Sequence, residues 1–484
     1  MSFPVLSLML VIAFAGALFS FMSKKGRDIA LIFSSIDFIL SLYLMFSFTY
    51  NTFSYQFMEK YGWISTPYIT ANYVVGADGL SIPLILLTTL LVLAVVIYSW
   101  DEKKNPSAFF GLIMLEELGV LGVFISLDFL LFFIFWEVSL IPMFFLIAYW
   151  GGPRKNYASY KFLIYTHVAG IIMLVSVIAM YFYSGATSLD FAAIASKSAY
   201  IAPFTQAVIF LGLLFGFGTK MPIVPMHTWL PDAHVEAPTA GSALLAGLLL
   251  KMGGYGLIRL AAYMLPAGRS AMTPLMMGIG ILGVVWGAVA ALSQTDMKKM
   301  VAYSSISHMG LVLIAIATWT QIGLMGAVFL MFAHGLVSAV LFMGVGSVHH
   351  SYGTRDIPKL GGIADRTPML SVMLVIGSLA SLGLPALISF PAEFSILYAL
   401  FSVEGYIVAI PLATLTIVAG FYIWMLQRVV FGKYKSRYVN KKPHDISLYE
   451  AIGIAMLISL IVLYGVLPFI LNNIILSSFI GGMV

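Results

Sequence analysis

The chain has 484 residues, of which 61% are hydrophobic and only 9% are charged. A soluble domain carries about 25% charged residues, so this composition excludes a water-facing globular protein. The apolar runs are continuous over ~20 residues and do not alternate, which predicts an all-α polytopic membrane protein and not a barrel. The absence of cysteine excludes disulfides and cysteine-ligated iron–sulfur clusters. The net charge of +5 is modest, and nothing in the sequence indicates nucleic-acid binding.

Apolar runs of spanning length predict about fourteen transmembrane helices. In chain order the predicted spans are 3–22, 28–50, 78–98, 107–125, 128–149, 159–183, 206–226, 238–263, 272–292, 300–318, 322–347, 368–400 (interrupted), 407–430 and 449–472.

The distribution of basic residues tests this count independently. If the loops alternate sides, the odd-numbered loops hold seventeen lysines and arginines, while the even-numbered loops hold only Lys60, Lys197 and Arg269. Basic residues accumulate on the inner side of a membrane. One missed or invented span would mix the two sets, so the bias favours fourteen spans with both termini on the outer side.

Two of the predicted spans are interrupted by proline. Span 7 contains Pro222 and Pro225 directly after Lys220, and span 12 contains Pro385 and Pro391 before Glu393. Proline removes a helical hydrogen bond and breaks the helix. Paired broken helices five spans apart, entered from opposite sides, are typical of inverted repeats around a transport site. The alternative is a pair of tolerated proline kinks.

The sequence therefore predicts two inverted five-helix repeats with broken helices 7 and 12. We expect N-terminal helices 1–3 in residues 1–105, a first repeat in 106–263, a second repeat in 272–431 and a last helix in 449–472.

Four ionisable residues lie within these apolar spans: Glu137, Lys220, Lys251 and Glu393. A charge at membrane depth costs at least about 2.5–3.5 kcal/mol and usually marks a functional site. The negative end of a half-helix would favour Lys220, and the positive end of another would favour Glu393. These residues predict proton or cation handling. Snorkelling or a structural ion pair remains the alternative for each lysine.

A glutamate and a lysine together are suited to proton transfer. Charges ~7 Å apart at an effective dielectric of ~20 interact by about 2.4 kcal/mol, so neutralising Glu137 would change how tightly Lys220 holds its proton. His308 and His334 are candidate relays, because imidazole titrates near neutral pH. A hydrogen-bonded core histidine is the alternative for both.

Other polar residues in the spans are harder to place. His227 and His234 flank a polar break, but their spacing to carboxylates is irregular for a metal site. Asp128 is predicted to cap span 5. Asp37 and the adjacent acids at 116 and 117 have no predicted role, and at most one of the latter two should face the central line.

Three stretches carry a resemblance to a known family. The run Phe135–Met143, the run from Lys220 to Ser242 and the run Lys251–Gly256 are similar to the antiporter-like membrane-arm subunits of respiratory complex I, over about residues 100–480. That family has fourteen core helices and two inverted repeats with broken helices seven and twelve. Multisubunit cation/proton antiporters contain related subunits.

The resemblance implies a role for each candidate residue. Glu137 and Lys220 would form the input pair, Lys251 the central relay with His334 assisting, and Glu393 the terminal site toward the outer side. Glu393 and the Trp-Glu run resemble the M-type subunit, since the L and N types carry lysine at the second break. Asp37 is a departure that the family pattern does not explain.

These observations predict an M-type, proton-translocating, non-redox subunit of a complex-I-like quinone oxidoreductase. It would hold no cofactor itself; iron–sulfur clusters, and flavin in some complexes, are expected in partner subunits. Expected partners are L-type and N-type neighbours, a peripheral redox arm and the lipid of an energy-conserving membrane, most simply a prokaryotic plasma membrane. The alternatives are a multisubunit cation/proton antiporter, a membrane-bound hydrogenase or formate-linked complex, and a scaffold with vestigial charges.

Overall fold

The computed structural model describes residues 3–50, 54–435 and 443–479, which are mostly helical. Twelve helical stretches in these ranges are long and apolar enough to cross a membrane. The predicted multi-pass helical fold is therefore confirmed, and the count of fourteen stays a prediction. The observed number is two lower because of the two broken spans. Pro203–Lys220, in span 7, is not among the twelve, and Ser389–Val429 joins the second half of span 12 and span 13 into one stretch. Of the basic residues used to test the count, Arg437, Lys441 and Lys442 lie outside the described residues.

The helices follow the predicted order. The N-terminal helices are α1 Val5–Met22, α2 Gly26–Ser47 and α3 Ser81–Tyr98. The next set is α4 Pro106–Ile125, α5 Phe129–Val138, α6 Leu140–Trp150, α7 Lys155–Ser184, α8 Phe191–Ser198, α9 Pro203–Lys220, α10 Trp229–Glu236, α11 Thr239–Leu244 and α12 Leu250–Gly256. The last set is α13 Pro266–Leu292, α14 Met297–Thr318, α15 Gln321–Tyr352, α16 Pro368–Ser381, α17 Ser389–Glu404, α18 Ala409–Val429, α19 Leu448–Val466 and α20 Phe469–Leu476.

A β-hairpin, which the sequence analysis missed, follows α2. Strands β1 Gln56–Ser65 and β2 Thr70–Ala77 pair antiparallel. Glu59 of β1 accepts hydrogen bonds from the backbone amides of Leu6 and Ser7, at 3.1 and 3.2 Å. These amides belong to the first turn of α1, which has no intrahelical partner for them. The hairpin therefore caps the first helix.

Burial divides the helices into a central and a peripheral set. Between 89% and 100% of the spanning windows of α3, α4, α14, α15 and the Thr239–Ala262 stretch are buried, against 33–44% for α1, α2, α7 and α13. The peripheral helices present apolar side chains outward, as lipid requires. Glu116, Glu117 and Lys251 on these central helices consequently face protein on every side.

Both predicted breaks are confirmed. Helix α9 ends at Lys220, and the chain resumes as α10 at Trp229. The second half of span 7 therefore extends to Glu236, ten residues beyond the predicted end. In span 12, α16 and α17 are separated by a turn in which Gly383 has φ 75°.

Two irregularities were not predicted. Span 5 is divided into α5 and α6 at Ser139. Span 8 contains two π-helical segments, Leu245–Leu249 and Leu257–Ala262, on either side of α12. Such segments change the direction in which successive side chains point, and they occur often at functional sites.

The two predicted repeats share a local pairing. Asp128 caps α5 by accepting from two backbone amides, as predicted, and forms a β-bridge with Asp190. Asp296 caps α14 in the same way and forms a β-bridge with Asp356. Each bridge joins the start of a repeat's second span to the segment after its third span. This supports the inverted-repeat organisation; its boundaries stay a prediction.

Candidate functional site

Lys220 ends α9 in a fully enclosed position. Its side chain is 1% exposed, and Nζ donates to Ser139 Oγ at 2.9 Å. Nζ also lies 4.1 Å from the ring centroid of Trp136, a favourable cation–π geometry. The carbonyl end of the helix adds a partial negative charge. The ammonium is thus held by one hydroxyl, one aromatic face and a helix terminus, with no carboxylate bound directly to it.

The break in span 5 is what brings Ser139 to this lysine. Gly119 of α4 lies against Ser139, so close that a Cβ on this glycine would come within 2.8 Å of the Ser139 amide nitrogen. The close approach sets the position at which α5 gives way to α6. Trp136 and Ser139 are therefore site residues that sequence reasoning missed, although both stand within the Trp-Glu run that it singled out.

Glu137 is placed beside His167 and not against Lys220. Its Oε2 lies 2.7 Å from His167 Nδ1, and the two side chains are 23% and 51% exposed. Gly170 gives the carboxylate room, because a Cβ there would lie 2.5 Å from Glu137 Oε1. Glu137 and Lys220, the two predicted partners, interact electrostatically without direct contact. Glu116 also interacts electrostatically with Lys220.

Lys251 lies at the centre of the molecule. It belongs to α12, is 0% exposed, and donates to the carbonyl of Ala246 in the preceding π-helical segment. Its Nζ is 2.8 Å from His334 Nδ1. A charged lysine can only donate, so this imidazole nitrogen accepts. His334 therefore lies in hydrogen-bonding contact with Lys251, and its predicted role as an assisting relay stays a prediction.

Two further contacts extend this line to the second break. The rings of His334 and His308 lie 5.4 Å apart between centroids. His308 Nε2 lies 3.6 Å from Glu393 Oε1 and 3.2 Å from the carbonyl oxygen of Ser381. Gly383 leaves space for the carboxylate, since a Cβ at this position would collide with Glu393 Oε2. Lys251, His334, His308 and Glu393 therefore form one buried line.

Direct helix packing joins the two groups of residues. A Cβ on Gly253 of α12 would lie 2.5 Å from the Phe217 carbonyl oxygen and 2.8 Å from the Met221 nitrogen. The end of α9, which carries Lys220, thus touches the helix that carries Lys251. The six residues predicted from the sequence therefore fall into two clusters, Glu137 with Lys220 and Lys251 with His334, His308 and Glu393, which are carried by helices in direct contact.

A polar cavity lies on the side of the basic loops. The cavity has a volume of about 890 Å³, and its walls include Glu236, Lys298 and Arg355. The side chain of Lys298 is buried and donates to the carbonyl of Ala237 at 2.6 Å. His234 is adjacent in the chain to Val235, which also lines the cavity.

Within residues 3–50, 54–435 and 443–479, no cluster of three or more histidine, aspartate or glutamate side chains could hold a metal ion. His234 is fully buried and stacks on Phe342, with ring centroids 4.5 Å apart. The candidate residues are amines, imidazoles and carboxyls, which are side chains that can donate or accept protons.

Fold and site together define a class: a multi-pass integral membrane protein built around buried ionisable groups at two broken helices. Residues 126–419 match the family described as NADH:quinone oxidoreductase/Mrp antiporter, transmembrane. The chain belongs to that family.

Individual relatives agree with this membership. The F(420)H(2) dehydrogenase subunit M of Methanosarcina mazei is 39% identical, over 96% of this chain and 95% of its own length. The NADH-quinone oxidoreductase subunit M of Rickettsia conorii is 36% identical, over 97% of this chain and 95% of its own. A chain of respiratory complex I from Thermus thermophilus superposes with a TM-score of 0.88 at 25% identity, covering 99% of this chain and 98% of that one.

Proposed function

We propose that this chain is an M-type membrane subunit of a quinone oxidoreductase complex, in which it moves protons without carrying a redox centre. The observation that carries the proposal is the buried line from Lys251 through His334 and His308 to Glu393. Relatives called subunit M, matched over nearly their whole length, support the same assignment. The redox cofactors then belong to partner subunits, and the complex lies in an energy-conserving membrane, the plasma membrane in a prokaryote.

Proton transfer along this line needs no bond other than those to hydrogen. Lys251 holds a proton against His334, and each imidazole accepts a proton at one nitrogen and gives one up at the other. Glu393 receives it beside the second break and passes it toward the outer side. The neutral amine left at Lys251 is refilled from Lys220, at the end of the adjacent α9.

The first cluster controls when this refilling occurs. Lys220 is held by Trp136 and Ser139, while Glu137 stands apart at the more exposed pair with His167. At an effective dielectric of ~20, a carboxylate ~7 Å away changes the energy of the ammonium by about 2.4 kcal/mol. A neighbouring subunit that moves or neutralises Glu137 would therefore release the proton of Lys220. We place L-type and N-type subunits in that role.

The substitution Lys220→Ala tests the proposal in the assembled complex. We expect it to abolish most proton transport in reconstituted vesicles while the complex still assembles, because it removes the ammonium that refills Lys251. Lys197→Ala is the matched control, since Lys197 is an exposed lysine on α8. Undiminished proton transport in the Lys220 variant would refute the assignment and favour a scaffold with vestigial charges.

A further inference from the structure

Three carboxyl groups on α2 and α4 take no part in the line described above. The side chains of Asp37, Glu116 and Glu117 are all 0% exposed. None of their six oxygens has a hydrogen-bond partner among the described residues. An isolated ionised carboxylate without a partner is too costly to bury and takes up a proton instead. These groups therefore require a proton or a cation.

The two glutamates point in different directions from α4. They are successive residues, so their side chains point about 100° apart around the helix. Glu116 lies within electrostatic range of Lys220, and Glu117 lies within electrostatic range of Asp37 on α2, a helix that packs against α4. Helix α4 thus stands between the Lys220 cluster and the N-terminal helices, with one carboxyl directed toward each. The sequence-based expectation that only one of the two faces the central line agrees with this arrangement.

Among the described residues, no side chain forms a hydrogen bond or an ion pair with Asp37 or Glu117. Helix α2 packs against α1, α3 and α4. The helical ranges of α1 and α3 contain no charged residue, and α4 contains only its two glutamates. The nearest basic residue on α2 is Arg27, ten positions and about 15 Å away along the helix. Two carboxyl groups that share such a site cannot both be ionised.

Polar groups continue beyond the pair. Ser41 lies one turn after Asp37 on the same face of α2, and its hydroxyl is 2.8 Å from that of Thr89 on α3. Both residues are buried. A polar seam therefore runs from the Lys220 cluster through α4 and α2 to α3, inside helices that are otherwise apolar.

We propose that Asp37 and Glu117 form a side branch of the proton line, which holds a proton and exchanges it with Lys220 through Glu116. The proposal rests on the proposed function, because it needs Lys220 to exchange protons. In the transfer, the protonated Glu116 gives its proton to the site shared by Asp37 and Glu117 and takes up the proton of the Lys220 ammonium, which becomes a neutral amine. The branch would serve as a store that keeps a proton beside the first cluster between transport events.

Infrared spectroscopy of the purified complex tests this proposal directly. A protonated carboxyl group shows a carbonyl stretching band that an ionised carboxylate lacks, and the band shifts when deuterium replaces the proton. We expect the difference spectrum between the wild-type complex and the double variant Asp37→Asn/Glu117→Gln to contain such a band, which is then assigned to the pair. Asp28→Asn is the control, because Asp28 lies on the same helix with 44% of its side chain exposed.

The connection to Lys220 is tested by transfer into deuterated buffer. We expect the band assigned to the pair to shift in the wild type and to shift much more slowly in Glu116→Gln, which interrupts the branch. Subunit content of the purified complex establishes that each variant assembles. A band that shifts equally fast in Glu116→Gln would overturn the connection.

A second result would overturn the pair itself. If the band appears only when sodium is removed from the buffer, the two carboxylates bind a cation and are not a proton store. These measurements need no turnover, so they remain informative if Lys220→Ala leaves proton transport intact and the proposed function fails.

Discussion

The two ends of the buried line are built differently. Around Lys220 the groups are separated: the ammonium meets a hydroxyl and an aromatic ring, and Glu137 lies apart with His167. From Lys251 to Glu393 the groups follow one another in contact, and the Glu393 side chain is only 6% exposed, against 23% for Glu137. The first region can respond to a neighbour; the second is already assembled for transfer.

Because of this contrast, a substitution should affect proton transfer differently in the two regions. In a contiguous line, each member is needed for the next contact, so removing one interrupts the whole line. In the separated cluster, electrostatic coupling acts over several ångströms, so changes there alter the energy of a step without breaking it. The predictions below test that difference, beginning with the largest expected effect.

Lys251→Met should abolish proton transfer, because methionine fills similar space but cannot carry a proton to His334. Vesicle proton uptake during electron transfer measures the effect. Lys103→Met, at an exposed loop position, is the control. Retained uptake in the Lys251 variant would mean that Lys220 reaches the histidines by another route.

Glu393→Gln should lower proton transfer by about a hundredfold, the usual contribution of a positioned acid–base group. Glutamine retains the size of the side chain beside Gly383 but removes the acceptor that follows His308. Glu404→Gln, at the other end of α17, is the control for assembly. Equal transport rates in the two variants would contradict a terminal role for Glu393.

Ser139→Ala should lower proton transfer by about tenfold, because a hydrogen bond to a charged group contributes about 1.5 kcal/mol or more. The loss concerns the energy of Lys220 and leaves the second region whole. Transport rates of this variant and of Ser196→Ala, an exposed serine on α8, give the comparison. Complete loss of transport would show that the first cluster is as contiguous as the second.

The smallest effect is expected at Asp128, which lies directly before α5. Burial raises the pKa of its carboxyl from 3.8 to about 6, although the backbone amides that donate to it lower the pKa. Because the folded pKa lies above the unfolded one, the stability from this group is present at low pH and is lost as pH rises through about 6. Asp128→Asn keeps a capping oxygen but does not titrate.

Thermal unfolding of the complex on both sides of that pH should therefore separate wild type from Asp128→Asn. We expect the wild type to lose stability relative to the variant as the pH rises. A relative gain would show that the backbone amides of Asn72, Leu130 and Leu131, which donate to the carboxyl, favour its ionised form more than burial disfavours it.

Features that depend on neighbouring residues in the chain were predictable from the sequence. Lys220 was placed at a helix end because two prolines follow it, and Glu393 near the start of a half-helix because Pro391 precedes it. Asp128 was recognised as a cap because an acid stands directly before an apolar run. The hairpin was not predicted, because it lies in a polar segment between two apolar runs and apolar runs were the signal used to place the elements.

Features that join distant residues were not predictable in the same way. His167 reaches Glu137 across thirty positions, and the neighbour of Lys220 is Ser139, eighty-one positions away. Neither sequence segment contains a feature that indicates its contact with the other segment. Composition and the pattern of apolar runs by themselves determined a helical membrane protein with buried charges at two breaks. In lipid the backbone must satisfy its hydrogen bonds within helices or closed barrels, and continuous apolar runs fit only the helices. A charge buried at membrane depth is costly and therefore usually marks a functional site. Only the tertiary structure decided which charges touch, because contact depends on how helices pack, and here on glycines such as Gly119 and Gly383 that let them approach.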